Sequence, residues 1–163
     1  MSLLALTLYP EWAWAICYLG KRVENRTWAR PAMVGKYLAI HGGKLIGGER
    51  DIALQELAAT SMLDVARAAG APLPEPITLR MLLEQGQGIV AVARVVRFVR
   101  DWPAVDPGKA WFCGPVGWVL DDVRVLPKPV VCRGAQGLWP VPADVLAEVR
   151  EQWKAAEAVG ATR

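Results

Sequence analysis

Histidine is almost missing from this chain: His41 is the only one among 163 residues. A multi-histidine metal site is therefore excluded. A Ser-His-Asp triad would have to use that one ring, and no GxSxG elbow is present to hold the serine. Cysteine is sparse too. Cys17, Cys113 and Cys132 are odd in number and show no CxxC spacing, so neither a disulfide framework nor a zinc site is expected. No apolar run reaches the ~18 residues that a membrane span needs. The nearest candidate, residues 3–19, is broken by Thr7, Pro10 and Glu11 and has no basic leader, so it does not read as a signal peptide. No membrane partner and no cofactor are expected, and a cytoplasmic location is. There is no internal repeat, no low-complexity segment and no linker, so residues 1–163 are expected to form a single domain.

Apolar residues and tryptophan are plentiful. The chain is 53% hydrophobic, 21% charged and holds eight tryptophans, the composition of a globular protein with a real core. The net charge of +3 is unevenly spread: residues 1–50 carry +4 and the remainder −1. The positive excess sits where an anion-binding face would need it, although a solvated basic surface reads the same way.

Residues 3–8 read as a buried strand ending at Tyr9-Pro10, with Pro10 suited to a helix's first turn. Trp12, Ile16 and Leu19 recur as the core face of that helix, Trp14 and Tyr18 share the opposite face, and Gly20 ends it. Residues 21–28 alternate as a strand does, with Glu24, Arg26 and Trp28 on one side and Lys21 on the other. Residues 36–41 predict a second strand, 49–69 a helix, 80–84 a short helix and 88–100 a long valine-rich strand. Residues 118–125, 130–133 and 138–141 predict three more strands, separated by Pro127, Pro129 and glycines, and 143–158 a closing helix. Short strands without regular βα alternation suit a small mixed barrel with helices packed around it better than a doubly wound sheet. The loop holding Trp102, Trp111 and Phe112 would cover either a cleft or the core.

The chemistry concentrates in Gly20-Lys21-Arg22-Val23-Glu24-Asn25-Arg26-Thr27-Trp28, where cations, a carboxylate and an amide follow a helix end. Arg26 could bind a phosphate or base edge through its planar fork and Lys21 could supply a point charge or act as a general base, while a plain Glu24–Arg26 ion pair would explain the same residues. Tyr9 and Trp28 flank these cations, and aromatics interleaved with Lys21, Arg22 and Arg26 are what a stacking site for unpaired bases requires. His41 precedes Gly42, Gly43 and Lys44, a strand-to-turn corner where backbone N–H groups could meet an anion or the histidine could be structural.

These residues resemble a known family. Leu6-Thr7-Leu8, Trp12-Ala13, the run from Gly20 to Trp28, Ile40-His41-Gly42-Gly43-Lys44, Gly88-Ile89-Val90-Ala91-Val92-Ala93 and Gly117-Trp118-Val119-Leu120 are similar, in order, to the ASCH family of the PUA-like superfamily. The resemblance implies an α+β fold, a PUA-like mixed β-pseudo-barrel surrounded by helices. It implies a cleft beside the first helix that binds RNA or a modified nucleobase, lined by Lys21, Glu24 and Arg26, with His41 and Lys44 near the rim. Some members cleave RNA, and some small ones hydrolyse the amide of N4-acetylcytidine. Lys21 and Glu24 would then be the catalytic pair. The hydrolase-type members carry a threonine where this chain has Glu24, and Met33-Val34 stand where members often have Tyr-Arg. Asp101 and Asp106 lie near the region of the hydrolases' second acidic residue.

Overall fold

A computed structural model describes residues 2–44 and 51–160 of the protein. The first strand, β1 (Leu4–Leu8), runs into helix α1 (Pro10–Tyr18), which Pro10 opens at the first turn, where a missing N–H leaves nothing unpaired. Gly20, at φ 70°, turns the chain out of the helix into β2 (Val23–Arg26). A 3-10 turn at Pro31–Met33 leads to β3 (Tyr37–Gly42). Two helices follow, α2 (Ile52–Ala68) and α3 (Leu79–Gly86). Asp51 caps the first by accepting from the N–H of Leu54, and Thr78 caps the second by accepting from that of Met81. The expected helix start at residue 49 lies outside the described residues.

β4 (Gly88–Val99) and β5 (Val116–Val130) form the long antiparallel pair at the centre of the molecule. A short β6 (Leu138–Pro140) and helix α4 (Ala143–Gly160) complete it. The strand expected at 118–125 is thus longer, running through Pro127 and Pro129 to Val130, and of the strand expected at 130–133 only Val130 is in the sheet. β5 survives because those prolines fall in a bulge: pairing steps from Ala91–Val125 to Ile89–Val130, so no ladder hydrogen bond is asked of them.

The sheet order is β2-β5-β4-β3-β1-β6, with β1 and β3 parallel and the other neighbours antiparallel. Laid flat, β2 and β1 would stand four strand spacings apart, about 19 Å. Yet Arg26 of β2 donates to the carbonyl of Thr7 in β1 at 2.6 Å. No side chain reaches across a flat sheet of that width, so the sheet is curled and Arg26 latches its open side. The result is an α+β fold, a PUA-like mixed pseudo-barrel with helices packed around it.

The concave side is solid. Leu6, Leu38, Ile40, Val90, Leu120 and Trp118 fill it with Ala13 and Ile16 of α1. On the other side Ala5, Ala39, Val92 and Trp139 pack against α4. A third cluster lies between α1, α2 and α3, where Trp14, Leu19, Met62 and Leu82 meet Trp111. Helix α1 is therefore buried on both flanks. Trp14, expected on the outer face with Tyr18, is fully buried and donates its indole N–H to Gln85, whereas Trp12 is only half-buried. Periodicity finds one apolar stripe, and a helix wedged between a barrel and two other helices has two. The loop of residues 100–115 belongs to this third cluster: Trp102 stacks on Phe112 with ring centres 6.1 Å apart, and the carbonyl of Trp111 accepts from Asn25.

Candidate functional site

Gly20 decides where Lys21 goes. Its left-handed conformation lets the N–H of Lys21 return to the carbonyl of Ala15, so Lys21 sits in a turn and not in β2. Strand alternation would have separated Lys21 from Glu24. Outside the strand, its ammonium donates to the carbonyl of Val23 at 2.6 Å and to Glu24 Oε2 at 2.8 Å, and it lies 5.8 Å from the ring centre of Trp12. Its side chain is 2% exposed.

Glu24 and Arg26 share one face of β2, as the alternation predicts. The second carboxylate oxygen of Glu24 lies 3.3 Å from Arg26 Nε. That N–H is buried and misaligned for a hydrogen bond, so it has no partner among the described residues, while Nη2 is held by Thr7. Exposure rises along the row, from Lys21 to Glu24 at 11% and Arg26 at 24%. One carboxylate thus bridges two cations, which leaves one positive charge in excess at the mouth of the barrel. Lys21 has three N–H donors and two acceptors, so a further donor remains.

His41 is the register partner of Thr7, at the C-terminal ends of the parallel strands. It is buried, edge-on to Trp139 at 5.4 Å, and Nε2 lies 3.1 Å from the carbonyl of Cys132. A carbonyl only accepts, so that nitrogen carries the hydrogen and Nδ1 is the bare acceptor, without a hydrogen-bond partner among the described residues. Burial pushes the imidazole pKa down from its usual 6.5. Gly134 presses on the ring: a Cβ there would meet His41 Cε1 at 2.5 Å and Thr7 Oγ1 at 2.7 Å.

The remaining sequence candidates are exposed or engaged elsewhere. Arg22 is exposed and folds back to close the end of α1, donating to the carbonyls of Ile16 and Lys21 at 2.9 and 3.1 Å. Lys44 is exposed beyond the end of β3. Tyr9 is 51% exposed at the start of α1. Trp28 is half-buried. Its ring meets Trp118 edge-on at 5.0 Å, and its carbonyl accepts from the Trp118 indole at 2.9 Å, so it packs on the core. Asp101 and Asp106 are exposed in the loop on the third cluster; Asp106 caps the 3-10 turn there by accepting from Gly108.

Sequence reasoning missed Thr7, whose carbonyl takes Arg26 and whose hydroxyl accepts from the Trp139 indole at 3.0 Å. A lone hydroxyl inside an apolar strand was the available signal. Gly134 and Trp139 had none, since they lie 127 and 132 residues from Thr7 along the chain. Burial pushes the Cys17 thiol up to about 12, which removes it as a nucleophile. Among the described residues no group of three or more His, Cys, Asp or Glu gathers as metal ligands.

No family model matches the sequence, and no curated protein matches it. Solved structures that align with most of the chain include three of one protein and its mutants. The ASCH protein from Zymomonas mobilis is 12% identical over 91% of this chain and 93% of its own, with a TM-score of 0.46. One point mutant of that protein is 12% identical over 93% and 98%, at 0.48. A second is 13% identical over 91% and 94%, at 0.45.

Proposed function

We propose that the mouth formed by Lys21, Glu24 and Arg26 binds RNA or a modified nucleobase. The observation that carries this reading is the single carboxylate shared by two cations, with donors left over beside it. A base edge presents amino donors next to ring-nitrogen and carbonyl acceptors. Glu24 accepts from an exocyclic amino group while Arg26 and Lys21 donate to the neighbouring acceptors. The exposed cations Arg22 and Lys44 meet phosphates, and Tyr9 offers a face for stacking. His41 lies one strand from the latch and holds the rim.

The test is a titration of fluorescent single-stranded RNA at two salt concentrations. Binding should weaken steeply with salt, and Lys44→Ala should lower the salt slope by about one. Arg26→Ala should cost about 1–3 kcal/mol of binding. Because Arg26 also holds Thr7, the variant's folding is checked first by thermal unfolding. A folded Arg26→Ala that binds as tightly as the parent protein sinks the assignment.

A second reading is an enzyme of the same fold, a ribonuclease or an amidohydrolase acting on a modified pyrimidine nucleoside. It is favoured by the buried Lys21 lying 2.8 Å from Glu24, a spacing at which one group can pass a proton to the other. It predicts turnover on an RNA and nucleoside panel that disappears in a folded Lys21→Ala variant. A parent protein inert on that panel rejects it.

A further inference from the structure

A groove of about 880 Å³ opens at the opposite end of the barrel, along one side of α4. It lies at the N-terminal ends of β1 and β3, where Leu3, Leu4 and Tyr37 line it, whereas Thr7 and His41 mark the C-terminal ends of the same strands. The volume is that of a small-molecule site. Its walls are mostly apolar, from Leu3, Leu4, Met33, Leu146 and Val149, with Tyr37 and Trp153 as the aromatic pair.

The aromatic wall is held in place. Tyr37 meets Trp153 edge-on at 5.0 Å, and the Arg124 guanidinium covers Trp153 at 5.0 Å. Arg124 donates to Glu157 at 2.5 Å and to Asp122 at 3.1 Å, and the Tyr37 hydroxyl donates to the same Asp122. Asp122 itself sits at φ 41°, a backbone state that side chains rarely adopt. The one carboxylate lining the groove, Glu157, is thus committed to Arg124. Lys36 and Lys154 line it as well, both exposed, and neither ammonium has an ion-pair partner among the described residues. An apolar slot with unneutralised cations at its edge is complementary to one kind of ligand.

We propose that this groove binds a small amphiphilic anion, an apolar body with a single carboxylate or phosphate head that lies between Lys36 and Lys154. The inference is independent of the RNA reading, since it uses none of the residues at the other mouth.

Decanoate and decyl phosphate, titrated calorimetrically into the whole protein, serve as probes, with decan-1-ol as the neutral control. Saturable binding of an anion, at least roughly tenfold tighter than the alcohol, is expected for a charge-assisted contact. Preference between the two anions distinguishes a carboxylate ligand from a phosphate one. Lys36→Glu and Lys154→Glu, both at exposed positions, should each weaken binding roughly tenfold, whereas Lys109→Glu on the distant loop should leave it unchanged. Equal affinity for anion and alcohol overturns the proposal, as does indifference to both lysine reversals or no saturation by about 1 mM. A dimer in light scattering that excludes decanoate assigns the groove to a second copy, and likewise overturns it.

Discussion

At the scale of single residues, His41 is the group whose environment makes a definite statement about pH. Its imidazole is buried and its pKa depressed, so the folded protein refuses a proton that the unfolded chain accepts. The stabilisation is therefore present above the unfolded value near 6.5 and is lost as pH falls through the folded one. The parent protein should lose more stability than His41→Gln between pH 7.5 and 5.5, measured by denaturant unfolding at each pH. Parallel losses in the two proteins would remove His41 from the account. The residues of the mouth were legible in the sequence because charge in an aromatic-rich segment needs a reason. What was not legible was the meeting of Lys21 with Glu24, which depends on one glycine ending a helix and on the strand starting two residues later than the alternation suggests.

At the scale of elements, the decisive contacts are made by backbone. A Cβ on Gly42 would stand 1.5 Å from the carbonyl oxygen of Gly86, and one on Gly86 would stand 2.6 Å from that of Pro10. The end of β3, the end of α3 and the start of α1 therefore touch with nothing between them. Gly42→Ala has no soft side chain to displace. It should destabilise by about 3 kcal/mol or more, at or above the top of the usual range for overpacking. Urea unfolding checks this, and a loss below about 1 kcal/mol would mean that α3 is free to move away. The elements themselves were mostly readable: the long β4 and the closing α4 follow their hydrophobic patterns. Helix α2 stands where a helix is expected, but it buries Gln55, Met62 and Ala66 and leaves the expected core positions Ile52, Leu54 and Leu57 exposed. The reading failed where tertiary context overrode local signals. Two prolines suggested a break that a bulge absorbs, and α1 has an apolar face on each flank.

At the scale of the whole molecule, the concave side is filled and the two proposed sites lie at opposite ends of the barrel. One end is charged and polar, the other apolar with a cationic edge. The curl that creates these ends could not be read from strand patterns, because they specify neighbours and not closure. Among the described residues closure is seen in Arg26, which joins the first strand of the order to the fifth. Replacing it with methionine keeps much of the side chain's bulk and removes the donor, leaving the Thr7 carbonyl without its partner. A loss of about 1–3 kcal/mol is expected in thermal unfolding. An unchanged melting point would mean that the helices alone hold the curl.

That contact has a consequence for how occupancy could be sensed. The guanidinium that would greet a ligand is also the clasp of the barrel's seam, so capture of one draws on the grip of the other. The amides of Val23–Arg26 belong to an edge strand that borders this seam. Their hydrogen-exchange rates, followed with and without RNA, would turn the clasp into a gauge. Slower exchange would mean that the ligand fastens the seam, and faster exchange that it is read by loosening it.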